Sequence, residues 1–195
     1  MRRILSIALW CVATLAACSS PSSNLYTLKP TAVVAADQAA CNCSVVVGPV
    51  SIPAVVDVPQ IVVNTGPNQV RLDEFNRWAS PLQNNIAHVV AENLVSLLGT
   101  PHVTRFQEAV NAPADYHVAI EVQSFESTLG ESATLNAVWM VRRTKDGKTQ
   151  TGRTSVRDPL AQKGYSALVA AHSHELLVLS QDIAAAVRSM EQAAP

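Results

Sequence analysis

Apolar side chains recur at helical spacing in two stretches of the chain. In the first, Leu82, Ile86, Val89, Val90, Leu94, Leu97 and Leu98 fall on one face of a 3.6-residue period. Ser80 as N-cap, Pro81 at the first helical position and Gln83 at the third form a capping box, and Gly99 followed by Pro101 supplies the stop. The pattern predicts a helix over 81–98. In the second stretch Tyr165, Leu168, His172, Leu176, Leu179, Ile183 and Val187 form one stripe of a helix over Tyr165–Met190.

Elsewhere the period is two or the run is β-branched. Leu25–Leu28 starts the first strand, and Ser44–Ile52 reads as a buried strand broken at Gly48-Pro49. Gln60–Asn64 follows, and Gln69–Leu72 folds back on it across the turn residues Thr65–Asn68. After the first helix come a short strand over His102–Phe106, a turn over Asn111–Ala114 and the strand Tyr116–Glu126. That strand puts Tyr116, Val118, Ile120, Val122 and Ser124 on one face. Ala133–Arg143 and Thr149–Val156 make a hairpin about Asp146-Gly147, with Thr149, Thr151, Arg153 and Ser155 facing water. Thr31–Asn42, rich in alanine and poor in large apolar residues, reads as a loop. The order β-β-β-α-β-β-β-β-α predicts an α+β domain, a mostly antiparallel sheet with two main helices packed on it.

The N-terminus has a different pattern. Arg2 and Arg3 precede an apolar run from Ile4 to Leu15, too short to span a bilayer, and small residues follow. This reads as a signal peptide over 1–17. Leu15-Ala16-Ala17-Cys18 resembles the lipobox of bacterial lipoproteins, in which the cysteine thiol takes a diacylglyceryl group and cleavage frees its amine for a further acyl chain. Residues 18–24 are then the lipidated Cys18 and a polar tether, and 25–192 a single periplasmic domain. Ser19 stands where an aspartate is the usual inner-membrane retention signal, so the expected destination is the outer membrane.

Of the four cysteines, Cys11 leaves with the signal peptide and Cys18 is the anchor. Cys41 and Cys43, separated by Asn42, remain open between inert thiols, a local disulfide in an oxidising compartment and a metal site lacking further ligands. His172 and His174, two apart on a helix, point to different faces and form no ligand pair.

Charge narrows the function classes. Removing Arg2 and Arg3 from the 14 basic residues leaves 12 against 15 acidic ones, a net charge of −3, which excludes a nucleic-acid footprint. The chain carries no nucleophile elbow, phosphate loop, dinucleotide fingerprint or H-E-x-x-H motif, so neither an enzyme nor a cofactor is expected. Asp73-Glu74 reads as a solvated pair on a loop. In Arg71–Leu82, Phe75 and Trp78 place two of nine aromatic residues in a polar stretch. Trp78 suits helix-end packing and Arg77 suits bonding to sheet carbonyls or stacking on a ring, and the segment as a whole suits either packing or partner docking.

The string from Ile52 to Leu82, IPAVVDVPQIVVNTGPNQVRLDEFNRWASPL, resembles the signature of the ABC-type transport auxiliary lipoproteins, a PqiC/YmbA-like family. Asp57, Pro59, Gln60, Ile61 and Val62 match its first block, and Asn68, Arg77, Trp78, Ala79, Pro81 and Leu82 its second. Val55-Val56 stand where the family has Tyr-Leu, Val58 where it has Arg and Ser80 where it has Glu, so a family ion pair there has no counterpart in this chain. The resemblance implies a non-enzymatic subunit of an MCE-type lipid transport system, docking an MCE-domain protein and its ABC transporter complex at the outer membrane as a ring of identical copies. Asp57, Pro59, Gln60, Arg77, Trp78 and Pro81 are its implied docking or fold-signature residues. The alternative is a shuttle that carries a lipid in its own cavity between helices and sheet.

Overall fold

The computed structural model describes residues 22–33, 39–106, 108 and 113–193. Cys18, the signal peptide and the first tether residues lie outside them, as does part of the Asn111–Ala114 turn. The strands are β1 (Asn24–Tyr26), β2 (Val45–Ser51), β3 (Gln60–Gly66), β4 (Gln69–Trp78), β5 (Val103–Arg105), β6 (Tyr116–Thr128), β7 (Ser132–Arg143) and β8 (Thr149–Pro159). The helices are α1 (Leu82–Leu98) and α2 (Tyr165–Gln192). The α+β class and the order of elements follow the prediction, the return at Gln69 standing as a strand of its own.

The strands form two mixed sheets, ordered β1-β4-β3 and β5-β2-β6-β7-β8. β6, β7 and β8 are antiparallel neighbours, whereas β2 runs parallel to both β5 and β6, and β1 parallel to β4. Parallel pairing needs a crossover, and α1 supplies the one between β2 and β5. Both helices cover one face of the five-stranded sheet. Val45, Tyr116, Val118 and Leu135 from the sheet meet Ile86, Leu94, Leu176 and Ile183 from the helices, all essentially buried. Burial of each such side chain contributes roughly 1.5–3 kcal/mol. The stripe predicted along α2 is the buried one, and His172 is buried while His174 is exposed. Between the helices the Nδ2 of Asn93 donates to the Ser180 hydroxyl, and its Oδ1 accepts from the amides of Thr31 and Ala32, so the buried amide is satisfied and the N-terminal segment is held down.

Four local expectations change. The capping box is not formed: Pro81 is the N-cap of α1 without a side-chain cap bond, and Gln83 donates its Nε2–H to the Val50 carbonyl, a tertiary contact that takes it away from the helix end. Gly99 does close the helix, in the left-handed conformation at φ 66°. β2 is not broken at Gly48-Pro49. It bulges there, and a Cβ on Gly48 would lie 2.8 Å from that of Phe106. In β6 a bulge between Val122 and Ser124 reverses the alternation, so Phe125 and Ser127 point inward and Ser124 accepts from the Asn136 amide. Finally, Asp73 to Trp78 are part of β4 rather than a loop. Cys41 and Cys43 form a disulfide, which settles the three readings left open for them.

Candidate functional site

The segment before β3 turns tightly, with the Val56 amide donating to the Pro53 carbonyl and that of Asp57 to Ala54. Val56 is buried and Asp57 and Pro59 are exposed. β3 then pairs with the end of β4, Gln60 opposite Arg77, and the Trp78 amide donates to the Pro59 carbonyl over 2.8 Å. On its other side β4 meets β1, Tyr26 level with Trp78, and the Ala79 amide donates to the Tyr26 carbonyl. These bonds leave an open cleft of about 360 Å³ lined by Asp57, Val58, Pro59, Trp78, Ser80 and Pro81. All six predicted residues other than the anchor are thus brought together: four line the cleft, and Gln60 and Arg77 form the strand pair beside it.

Their roles differ. Trp78 is 7% exposed and meets Phe125 edge to face at 6.3 Å, so it is the floor of the cleft and part of the core. Arg77 is half-buried and donates from Nε to the Glu74 carbonyl, with its guanidinium 3.4 Å from the Glu74 carboxylate. Pro59 and Pro81 are exposed walls. The cleft thus has proline walls over an aromatic floor, with Asp57 at the rim. No group of three metal-ligating side chains occurs among the described residues.

Behind the floor lies a polar chain that periodicity did not reveal as such. Phe125 stacks on the His172 ring at 3.8 Å, His172 Nε2 is 2.9 Å from the Ser127 hydroxyl, and His172 Nδ1 is 2.8 Å from Glu175 Oε2. The order serine, histidine, carboxylate is that of a nucleophilic triad, but Ser127 is 3% exposed and the other two are wholly buried. Burial holds His172 neutral, down to about 3, and burial together with the nearby Asp158 carboxylate pushes Glu175 up to about 9. At neutral pH Glu175 is protonated and donates to Nδ1, so the Nε2–H of His172 donates to Ser127. A serine that accepts from its histidine is not activated by it. The signal for this chain was His172 on the buried stripe; its partners needed the β6 bulge that turns Ser127 inward.

The chain matches the family model of the ABC-type transport auxiliary lipoprotein component over residues 26–184, and it belongs to that family. No curated protein matches it. Among solved structures, a Xanthomonas campestris protein carrying the DUF330 family model is 18% identical, with 83% of this chain and 93% of that one covered at a TM-score of 0.69. A second, uncharacterized protein is also 18% identical, with 86% and 99% covered at 0.70. Both share the fold. The PelC dodecamer of Paraburkholderia phytofirmans is 13% identical over 80% of this chain and 93% of that one, and its TM-score of 0.41 is too low to bear on assembly.

Proposed function

We propose that this lipoprotein is a docking component of an MCE-type lipid transport system, held at the outer membrane through Cys18, and that the cleft walled by Pro59 and Pro81 receives an extended segment of the MCE-domain protein. It acts without catalysis, as one of a ring of copies that seats the transporter's distal end for phospholipid movement between membranes. The observation that carries this reading is the convergence of Asp57, Pro59, Trp78 and Pro81 on a single open cleft. Family membership supplies the link to an ABC-type transport system.

The test is co-purification from membranes with Asp57→Arg combined with Pro59→Ala, two exposed changes that leave the core untouched. The variant is expected to retain its circular dichroism and lose the MCE protein. Recovery of equal amounts of the MCE protein by variant and wild type sinks the proposal. The shuttle alternative needs space between helices and sheet, where Leu135, Leu176 and Ile183 are packed at 0% exposure. It predicts phospholipid in native mass spectra of the purified protein, and the docking reading predicts none.

A further inference from the structure

β4 departs from regular pairing with β3 in two places, and the larger lies beside Ile61. Val62 pairs with Leu72 and Gln60 with Arg77, so four residues, Asp73 to Asn76, bulge opposite Ile61 alone. The bulge is built. Asp73 Oδ1 accepts from the amides of Phe75 and Asn76 over 3.0 and 2.9 Å and from the Asn76 side chain over 2.9 Å. Asp73 Oδ2 accepts from the Tyr165 hydroxyl over 2.6 Å, which ties the bulge to the first residue of α2. At its tip Phe75 is 49% exposed. A phenylalanine half exposed to water forgoes a large part of the stabilisation that its full burial would contribute.

The same strands bring this residue to the N-terminus of the domain. β1 runs parallel to β4 with Asn24 level with Asn76, so one step back Ser23 is level with Phe75. Cys18 precedes Ser23 by five residues, a span of at most about 18 Å of extended chain. Of the eight large apolar side chains exposed among the described residues, Leu25, Val70, Leu72 and Phe75 belong to β1 and β4. Single exposed apolar residues need no explanation, but half of them fall on the two strands nearest the anchor.

We propose that the Asp73–Asn76 bulge and the strands beside it are a membrane-contact face, with Phe75 set in the interface of the bilayer that holds the lipid on Cys18. This rests on the lipoprotein reading of Cys18. Acyl chains retain the protein, but a polar tether leaves the domain free to tumble; an aromatic at the headgroup level fixes which side faces the lipid. The face therefore sets the direction in which the Pro59 and Pro81 walls are presented to a partner.

The experiment uses the full chain, processed and lipidated in cells, reconstituted in vesicles of phosphatidylethanolamine and phosphatidylglycerol with or without brominated acyl chains. Trp78 and Trp139 are buried, so the emission added by Phe75→Trp is read against a steady background. That added emission is expected to be about twofold weaker in brominated vesicles. Flotation of the same samples reports the anchor separately. Protein that floats with unquenched Phe75→Trp emission overturns the membrane face and leaves the anchor standing. Blue-shifted but unquenched emission shows the face covered by protein, a second copy or another partner, and also overturns it. Protein with Cys18 intact that does not float overturns the anchor and this proposal with it.

Discussion

Replacing Glu175 with glutamine tests the reading of the buried polar chain. The carboxyl is fully buried, its Oε1 has no partner among the described residues, and its pKa is pushed up to about 9 from an unfolded value of 4.5. The folded state therefore holds a proton that the unfolded state releases once the pH exceeds 4.5. Stability from this group is complete below 4.5 and is lost as the pH rises toward 9, at about 1.4 kcal/mol per pH unit. At pH 7 the accumulated loss is about 3 kcal/mol, an upper bound because the neighbouring His172 is coupled to this carboxyl. Glutamine has no proton to lose, and its amide N–H replaces the carboxyl O–H as donor to His172 Nδ1. Glu175→Gln is expected to match the wild type near pH 4.5 and to exceed it by up to about 3 kcal/mol at pH 7. Urea denaturation followed by circular dichroism at pH 4.5, 6, 7 and 8.5 gives the difference curve. His172, held neutral in both proteins, loses stability equally as the pH falls below 6.5 and cancels from it. A variant less stable than wild type at pH 7 refutes the argument. It would mean that Glu175 is ionised and paired with a charged His172.

Gly152 pairs with Trp139 across β7 and β8, and a Cβ on it would lie 2.1 Å from the indole Cζ2. The indole is held by its Nε1–H bond to Thr154, so Gly152→Ala is expected to lower stability by about 1–3 kcal/mol; an unchanged urea midpoint would show that the ring moves freely. Trp78→Ala removes the cleft floor and is expected to cost about 3–5 kcal/mol. Arg77→Ala breaks only a partly exposed contact with Glu74 and is expected to cost under about 1 kcal/mol. Equal midpoints for these two variants would contradict the division between floor and surface.

How much of this was legible in the sequence varies with the range of the interactions. α1, α2 and the β6 to β8 meander were readable because their signals are local: an apolar period, Gly99, and Asp146-Gly147. The departures come from distant partners. Gln83 leaves the helix end for Val50, thirty-three residues away, and β1 pairs with a strand some fifty residues on. The bulge in β6 inverts the faces of Phe125 and Ser127, and no alternation pattern announces where a strand gains a residue. The Asp73 carboxylate is similar. Burial raises it, but bonds from Tyr165, Asn76 and the Phe75 amide outweigh this and hold it below the usual range, so of the pair read as solvated Asp73 is structural while Glu74 is exposed. Asp57, Pro59, Gln60, Arg77, Trp78 and Pro81 were grouped by resemblance, and only the pairing of β3 with β4 explains why they are neighbours.

The five-stranded sheet ends in β8, eleven residues whose outer backbone edge meets no other strand among the described residues. Lipid-anchored copies move in a plane and meet far more often than free ones, and an open edge is a template for unwanted strand addition. Arg153, Arg157, Asp158 and Pro159 along β8 are the residues that discourage it, by repulsion and by withholding an amide donor. On a crowded membrane surface this edge is where unwanted pairing between copies would start, and its charges and proline oppose that pairing in two dimensions.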